Sequence, residues 1–455
     1  MNYEEKIDEI KKFLESKNLD YYDFRIEEKE LTYIEIENKD VKDIKKEKIN
    51  GIGIRVYLDK KIGFCSTNKI ENYKKIINEC IENTKKITQK INLENFSKNK
   101  AKAIFKYKNF EEKDIEKKVK ELKKINSENF SKEYVKNTKL FKKEEILKKY
   151  FVSPYSFIYQ ETPTSTIANF INLKKDNKIE SNYQKFANVG GLETYNITDY
   201  TKLINENYNF SKKQINAKLC PAIKSNVIID SETSGLLAHE AIGHSSEADA
   251  IVLEDSVLRK GQVVSKNKNI NLIDDPTLKK HGYFAYDDEG FKSRPKYLIK
   301  NGVVNEYLKD IETATTLGEK SNGSARAQSY IYIPIVRMSN TYFKKGTKKN
   351  KDLLKDFTGY LLKRPFGGQV DPAVGTFMFG IRQAIKYEKG EVIDNFKQAS
   401  ISGSILKYLN NIQDIGNTYE WEPGYCGKGG QSVNVDDSGP YMKIKDVVIG
   451  GSTHE

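Results

Sequence analysis

The chain has 455 residues, with 38% hydrophobic and 31% charged side chains, proportions that exclude an intrinsically disordered protein and leave room for two or three cored domains. The net charge of +13 sits mainly in residues 1–215, with 45 basic against 35 acidic residues there and 32 against 29 afterwards. Lys and Glu alternate at helical spacing, as from Glu111 to Lys124, and no nucleic-acid-binding motif accompanies them, so nucleic acid is not an expected partner.

The amino terminus, Met1-Asn2-Tyr3-Glu4-Glu5, lacks a basic segment leading into an apolar one, and no run of 18 apolar residues follows anywhere. A cytoplasmic location with no membrane span is therefore expected. Tyr3, Ile7, Ile10, Phe13 and Leu14 predict an amphipathic opening helix over 3–16. Alternation over 22–27, 31–36, 51–58 and 61–65 predicts strands and a hairpin, and 70–87 a second helix. Residues 95–150, rich in Lys, Glu and Asn, read as helical with loops, and 155–173 returns to strand alternation.

Composition changes near residue 215, beyond which lie 24 of the 29 glycines and 8 of the 10 prolines. Strands are predicted at 226–230, 329–336 and 373–381, with a hairpin of 297–299 and 303–307 around Lys300-Asn301-Gly302. The expected fold is α+β: an N-terminal α+β domain (1–94), a middle helical and strand segment (95–215), and a C-terminal domain (216–455) built on a large, curved or partly closed, mostly antiparallel sheet. Cys65, Cys80 and Cys220 read as reduced, buried, apolar-like side chains, since four scattered cysteines make no disulfide framework.

Two of the four histidines fall in one hexapeptide, His239-Glu240-Ala241-Ile242-Gly243-His244. A zinc-type site needs neutral imidazoles on the metal and a carboxylate able to take a proton from the attacking water. His239 and His244 suit the first role and Glu240 the second. The spacing is unusual, because residues five apart lie about 140° apart around a regular α-helix. The helix is therefore predicted to break or widen at Gly243, and Ser231, Thr233 and Ser234 are candidate caps for its start. A third ligand is required. Glu247 and Asp249 are local candidates, and His281, Cys426 and His454 are distant ones. His281 reads as a surface turn residue, and the residues alone lean towards a buried loop thiol for Cys426.

Together these residues resemble the TldD/PmbA family. The similarity runs through His239–Asp249, Asp287–Gly290, Arg337–Thr341, Gly367–Asp371 and Tyr425–Lys428 with Gln431–Val433. Residues 51–84 also resemble its amino-terminal hairpin and helix. The resemblance implies a zinc-dependent peptidase, with iron as the alternative metal, in which Cys426 is the third ligand and Glu240 the general base. It further implies paired subunits, either a homodimer or a heterodimer with a metal-free TldE/PmbA-like paralogue, enclosing a chamber for small or unfolded peptides that add as a strand beside the sheet. Asp287–Gly290 is read as a turn without a catalytic role. The competing function is a non-catalytic regulatory protein, such as a modulator of a DNA-associated enzyme.

Overall fold

The computed structural model describes residues 3–451. Its first half is one seven-stranded sheet with four helices: α1 (Tyr3–Glu15), β1 (Tyr21–Glu37), β2 (Asp40–Leu58), β3 (Lys61–Thr67), α2 (Tyr73–Lys86), β4 (Lys100–Ile104), α3 (Ile115–Phe130), β5 (Val135–Val152), β6 (Phe157–Lys175), β7 (Lys178–Val189) and α4 (Ile197–Gln214). The strands run β3-β2-β1-β5-β6-β4, with β7 also on β6, so strands on either side of residue 94 share a single sheet.

Alternation along β1 decides what each face does. Phe24 and Ile26 pack with Ile7, Ile10 and Leu14 of α1 and Ile77 of α2, while Ile34 and Ile36 pack with Leu122 of α3 and with Tyr200 and Ile204 of α4. All four strand positions are even, so the helices share one face. The opposite face carries Asp23, Arg25 and Glu27, buried and charged.

Two expectations for this half are corrected. Residues 22–36 form one long strand rather than two, and 95–150 contains β4 and most of β5 as well as α3. In β5 the helix-facing positions include Lys142 and Glu144 beside Leu140 and Ile146. Lys118 of α3 meets Glu144 at 2.7 Å, so a buried ion pair stands where apolar residues would have revealed the strand. Of the cysteines, Cys80 and Cys220 are buried but Cys65 is only partly covered.

The second half begins with β8 (Lys218–Leu219), β9 (Ile223–Ile229) and α5 (Ser231–Leu236), then β10 (Leu272–Asp274), β11 (Lys296–Lys300), β12 (Val303–Val304), β13 (Ala325–Arg326), β14 (Ile335–Val336), β15 (Asn340–Phe343), β16 (Gly359–Asp371), β17 (Thr376–Glu388), β18 (Glu391–Ser404), β19 (Ile412–Lys428) and β20 (Gln431–Gly451). Eleven of these strands make one mostly antiparallel sheet. Because β18 pairs with both β17 and β20, the strands β20-β9-β16-β17-β18 close into a ring. The predicted hairpin around Asn301-Gly302 is present, with both residues at positive φ. Residues 329–334 are not a strand, and only Ile335–Val336 of that segment pairs. No helix among the described residues is long and apolar enough to cross a membrane.

The halves meet through the charged face of the first sheet. Arg55 donates from Nε and Nη2 to Asp23 Oδ2 at 2.9 and 2.6 Å, and from Nη1 to Glu289 Oε1 at 2.6 Å. Lys149 reaches Asp288 at 2.5 Å, and Glu27 Oε2 accepts the Tyr330 amide proton at 2.9 Å. Asp287–Gly290 is a turn as expected, with Asp287 Oδ1 accepting the Glu289 and Phe291 amide protons and Gly290 at φ +80°. The same turn also supplies the carboxylates of the seam. Arg55→Met strands Asp23 and Glu289 as buried charges and should cost about 3–5 kcal/mol, read as a lower urea midpoint. Arg55→Lys, which keeps the charge but not the fork, should recover part of the loss.

Candidate metal centre

Asp230 caps the helix that follows β9, its Oδ1 accepting the Thr233 amide proton at 2.9 Å. The cap is thus one residue before the Ser/Thr positions expected from sequence. Gly235 and Gly439 let α5 lie directly on β20, since a Cβ at either would press into Asp437 or Ser234. Beyond Leu236 the helix widens into a π-turn over Leu237–Gly243, in which the His244 amide donates to the His239 carbonyl. That i→i+5 bond places the two histidines one turn apart on the same side, with ring centroids separated by 5.2 Å.

The widening at Gly243 is the one expected, but its cause differs. Gly243 has ordinary helical angles, and it is required because a Cβ there would run into Met338 Sδ. On the inner side Leu237, Ala238, Ala241 and Ile242 join the core formed by the ring strands. The outer side therefore presents Glu240, whose side chain is 32% exposed and whose Oε2 lies 3.8 Å from His244 Nε2.

Cys426 comes from the end of β19, just before a two-residue turn. Gly429 and Gly430 both have positive φ (58° and 71°), the geometry such hairpins need. Fully buried Arg337 donates to the carbonyls of Cys426 and Gln431 and ties the two strand ends together. Cys426 Sγ thereby lies 3.6 Å from His244 Nε2, and one donor atom each of His239, His244 and Cys426 falls within 4.8 Å of the others. Burial alone would raise the Cys426 thiol, but hydrogen bonding from the two imidazoles brings it down to about 5. His239 Nδ1 is buried without a partner. Two imidazoles, a thiol poised to lose its proton and an orphaned ring nitrogen fit a zinc-type cation.

The other ligand candidates stand elsewhere. Glu247 Oε2 is 2.8 Å from His244 Nδ1, so it holds the ring from behind rather than joining the donors. Burial would raise its carboxyl, yet His244 and Lys428 hold it below the usual range. Lys428 bridges Glu247 at 3.0 Å and Asp249 at 2.6 Å. His281 is buried, not a surface turn residue, and its ring meets Tyr425 edge-on at 5.3 Å. His454 lies outside the described residues. Sequence reasoning missed the positioning roles of Glu247, Lys428 and Arg337. Their nearness in sequence to His244, Cys426 and Met338 was the available signal.

A cleft of about 260 Å³ is lined by Glu232, Leu236, Glu422, Gly424 and Asp437 among others, with none of the three donors in its wall. Positions 232, 236 and 240 share one helix face, and 422, 424 and 426 one strand face, so the cleft leads towards Glu240 and Cys426. Burial pushes the Asp437 carboxyl up to about 7 against the pull of His239.

The sequence profile for the PmbA/TldA metallopeptidase C-terminal domain matches residues 223–451, and that for domain 1 of the same proteins matches 22–88. A metalloprotease of Methanocaldococcus jannaschii is 33% identical over 95% of this chain and 97% of its own length. The chain belongs to the TldD/PmbA family. A metalloprotease of Methanothermobacter thermautotrophicus is 34% identical over 64% of the chain, and a Saccharolobus solfataricus protein named zinc metalloprotease TldD homolog is 35% identical over 50%. The aligned stretch spans 65% of the former and 51% of the latter. Among solved structures, a candidate modulator of a DNA gyrase from Thermotoga maritima superposes with a TM-score of 0.81 at 19% identity, covering 99% of this chain and all of that one. TldE from Thermococcus kodakarensis gives 0.77 at 17%, covering 98% and all, respectively. The fold is thus that of TldD/PmbA proteins over its whole length.

Two outcomes follow for this member of the family. Gly243→Ala should destabilise by about 1–3 kcal/mol through overpacking, and Met338→Ala added to it should relieve the clash, as thermal unfolding of the single and double variants will show. Glu247→Gln should lower zinc affinity about 10–100-fold by loosening His244, measured by competition with a chromophoric chelator.

Proposed function

We propose that this TldD/PmbA protein is a zinc-dependent peptidase acting on small or unfolded peptides, with His239, His244 and Cys426 holding the metal and Glu240 as general base. The observation that carries the reading is the convergence of Cys426 on a histidine pair 182 positions earlier in sequence, beside a half-open carboxylate. Zinc is favoured over iron by the mixed nitrogen and sulfur donor set and by the name of the Saccharolobus relative. A zinc ion held there supplies Lewis acidity towards the scissile carbonyl and makes water more acidic.

The chain's own groups supply the rest. Glu240 takes the proton of the attacking water and returns it to the leaving amine. Glu247 fixes the orientation of His244, and Lys428 keeps Glu247 charged. In β19 the segment 419–428 pairs with β20 alone, which leaves one edge for an extended peptide to join through backbone hydrogen bonds, with the neighbouring cleft taking alternate side chains. Such recognition is indifferent to side-chain identity and demands an unfolded substrate.

The protein acts in the cytoplasm as one of a pair of subunits, either with a second copy or with a metal-free TldE-like relative. The regulatory alternative draws on the description of the Thermotoga structure, whose 19% identity speaks for fold alone.

Glu240→Gln should keep bound zinc, measured by elemental analysis, and lose at least about a hundredfold in cleavage of an unstructured peptide. Equal cleavage by the two proteins would remove Glu240 from the mechanism. Duplex DNA binding at physiological salt without cleavage by either would favour the regulatory reading.

A further inference from the structure

We propose that a second cavity, set between the two sheets and walled by His281, Arg326 and Lys143, is a binding site for a single carboxylate group. The cavity measures about 260 Å³. It is separate from the cleft beside Glu240. Tyr425 lines it, and alternation along β19 points Tyr425 away from the face on which Cys426 meets the histidines.

Its lining carries four cations, Lys29, Lys143, Lys149 and Arg326, against three carboxylates, Glu145, Asp287 and Asp288. Lys29 and Lys143 converge on Glu145 at 3.4 and 2.9 Å, and Lys149 is matched by Asp288 at 2.5 Å. Asp287 has both oxygens engaged by backbone amides, and burial pushes it up to about 7. Arg326 is left over. Its Nη1 donates to the Met338 carbonyl at 2.7 Å and its guanidinium lies over the Phe284 ring, but no carboxylate among the described residues pairs with it. Burial followed by the nearby Arg337 lowers it only to about 10, so it remains charged at neutral pH.

The neighbouring imidazole is equally unsatisfied. His281 is 2% exposed, and neither ring nitrogen has a hydrogen-bond partner, a state that is costly for a buried polar group. Burial and the nearby Lys143 and Lys185 push it down to about 3, so it is neutral, with one N–H to donate and one nitrogen to accept. A planar anion of charge −1 balances the spare guanidinium and matches its fork. A phosphate would bring its second charge up against Glu145 and Asp288, which line the same cavity. The accepting nitrogen calls for an N–H on the same ligand, which the last residue of a peptide provides beside its terminal carboxylate. The peptide source rests on the peptidase reading, whereas the carboxylate site itself does not.

The test uses the full chain carrying Glu240→Gln, so that binding is measured without requiring cleavage, and ¹³C-labelled histidine. The chain has four histidines, and the His281 signal is the one missing from the His281→Phe spectrum. Trialanine, its C-terminal amide and succinate are titrated by calorimetry and by this signal. Trialanine is expected to bind and shift His281, and to weaken about tenfold or more with the amide, with His281→Phe or with Arg326→Leu, as loss of a charge-assisted hydrogen bond implies. Binding of succinate but not of trialanine would keep the site and assign it to a free organic acid. If none of the three moves the His281 signal, or if His281→Phe binds them as tightly as the parent, the site does not exist. Should Arg326→Leu fail to fold, His281→Phe and the signal decide alone.

Discussion

The candidate metal centre depends on one backbone hydrogen bond, from the His244 amide to the His239 carbonyl. In a regular α-helix the His244 amide would reach Glu240 instead, and the two imidazoles would point to different sides. Slipping the bond by one residue turns a five-residue spacing into a single turn. The slip is held by packing on both sides: Met338 fills the space that a side chain at position 243 would need, and Leu237, Ala238, Ala241 and Ile242 key the inner side into the ring of strands. The geometry of the donors is thus a product of the core and not of the hexapeptide alone.

From there the constraints pass outward in layers. Glu247 holds His244, Lys428 holds Glu247, and Lys428 leaves the same strand that carries Cys426. The group that orients one donor is thereby tied to the backbone that carries another, and Arg337 fixes that backbone from below. A disturbance at any of these side chains reaches at least two donors. The seam between the sheets works differently. Its carboxylates and guanidinium are matched nearly one for one, and the unmatched Arg326 stands out because its neighbours are so fully paired.

Much of this was legible in the sequence, and the failures have physical causes. The histidine pair with its intervening carboxylate, the widened helix, the antiparallel second sheet and the first two helices all follow from spacing and alternation, whereas α4 (Ile197–Gln214) was not read from the sequence. Strand β5 was hidden because Lys142 and Glu144 occupy core positions, Glu144 paired with Lys118 and Lys142 donating to Ser165, where apolar residues would have shown the alternation. His281 looked exposed because it sits beside a glycine, yet Gly282 is there to let the backbone approach Ser339. Cys426 could not be chosen over Glu247 from residues alone. Glu247 is nearer in sequence, and it is its orientation towards Nδ1 of His244 that sets it apart from the donors.

The ring of strands has a consequence for the order in which the molecule can be made. Helix α5 and the π-turn emerge early in the second half, but the surface they rest on is β20, the last strand described, and the hairpin bearing Cys426 requires that same strand as its partner. A growing chain therefore carries its histidines for about 200 residues of synthesis before the strand that completes their support is made. The meeting of His239, His244 and Cys426 is complete only with the final strand described.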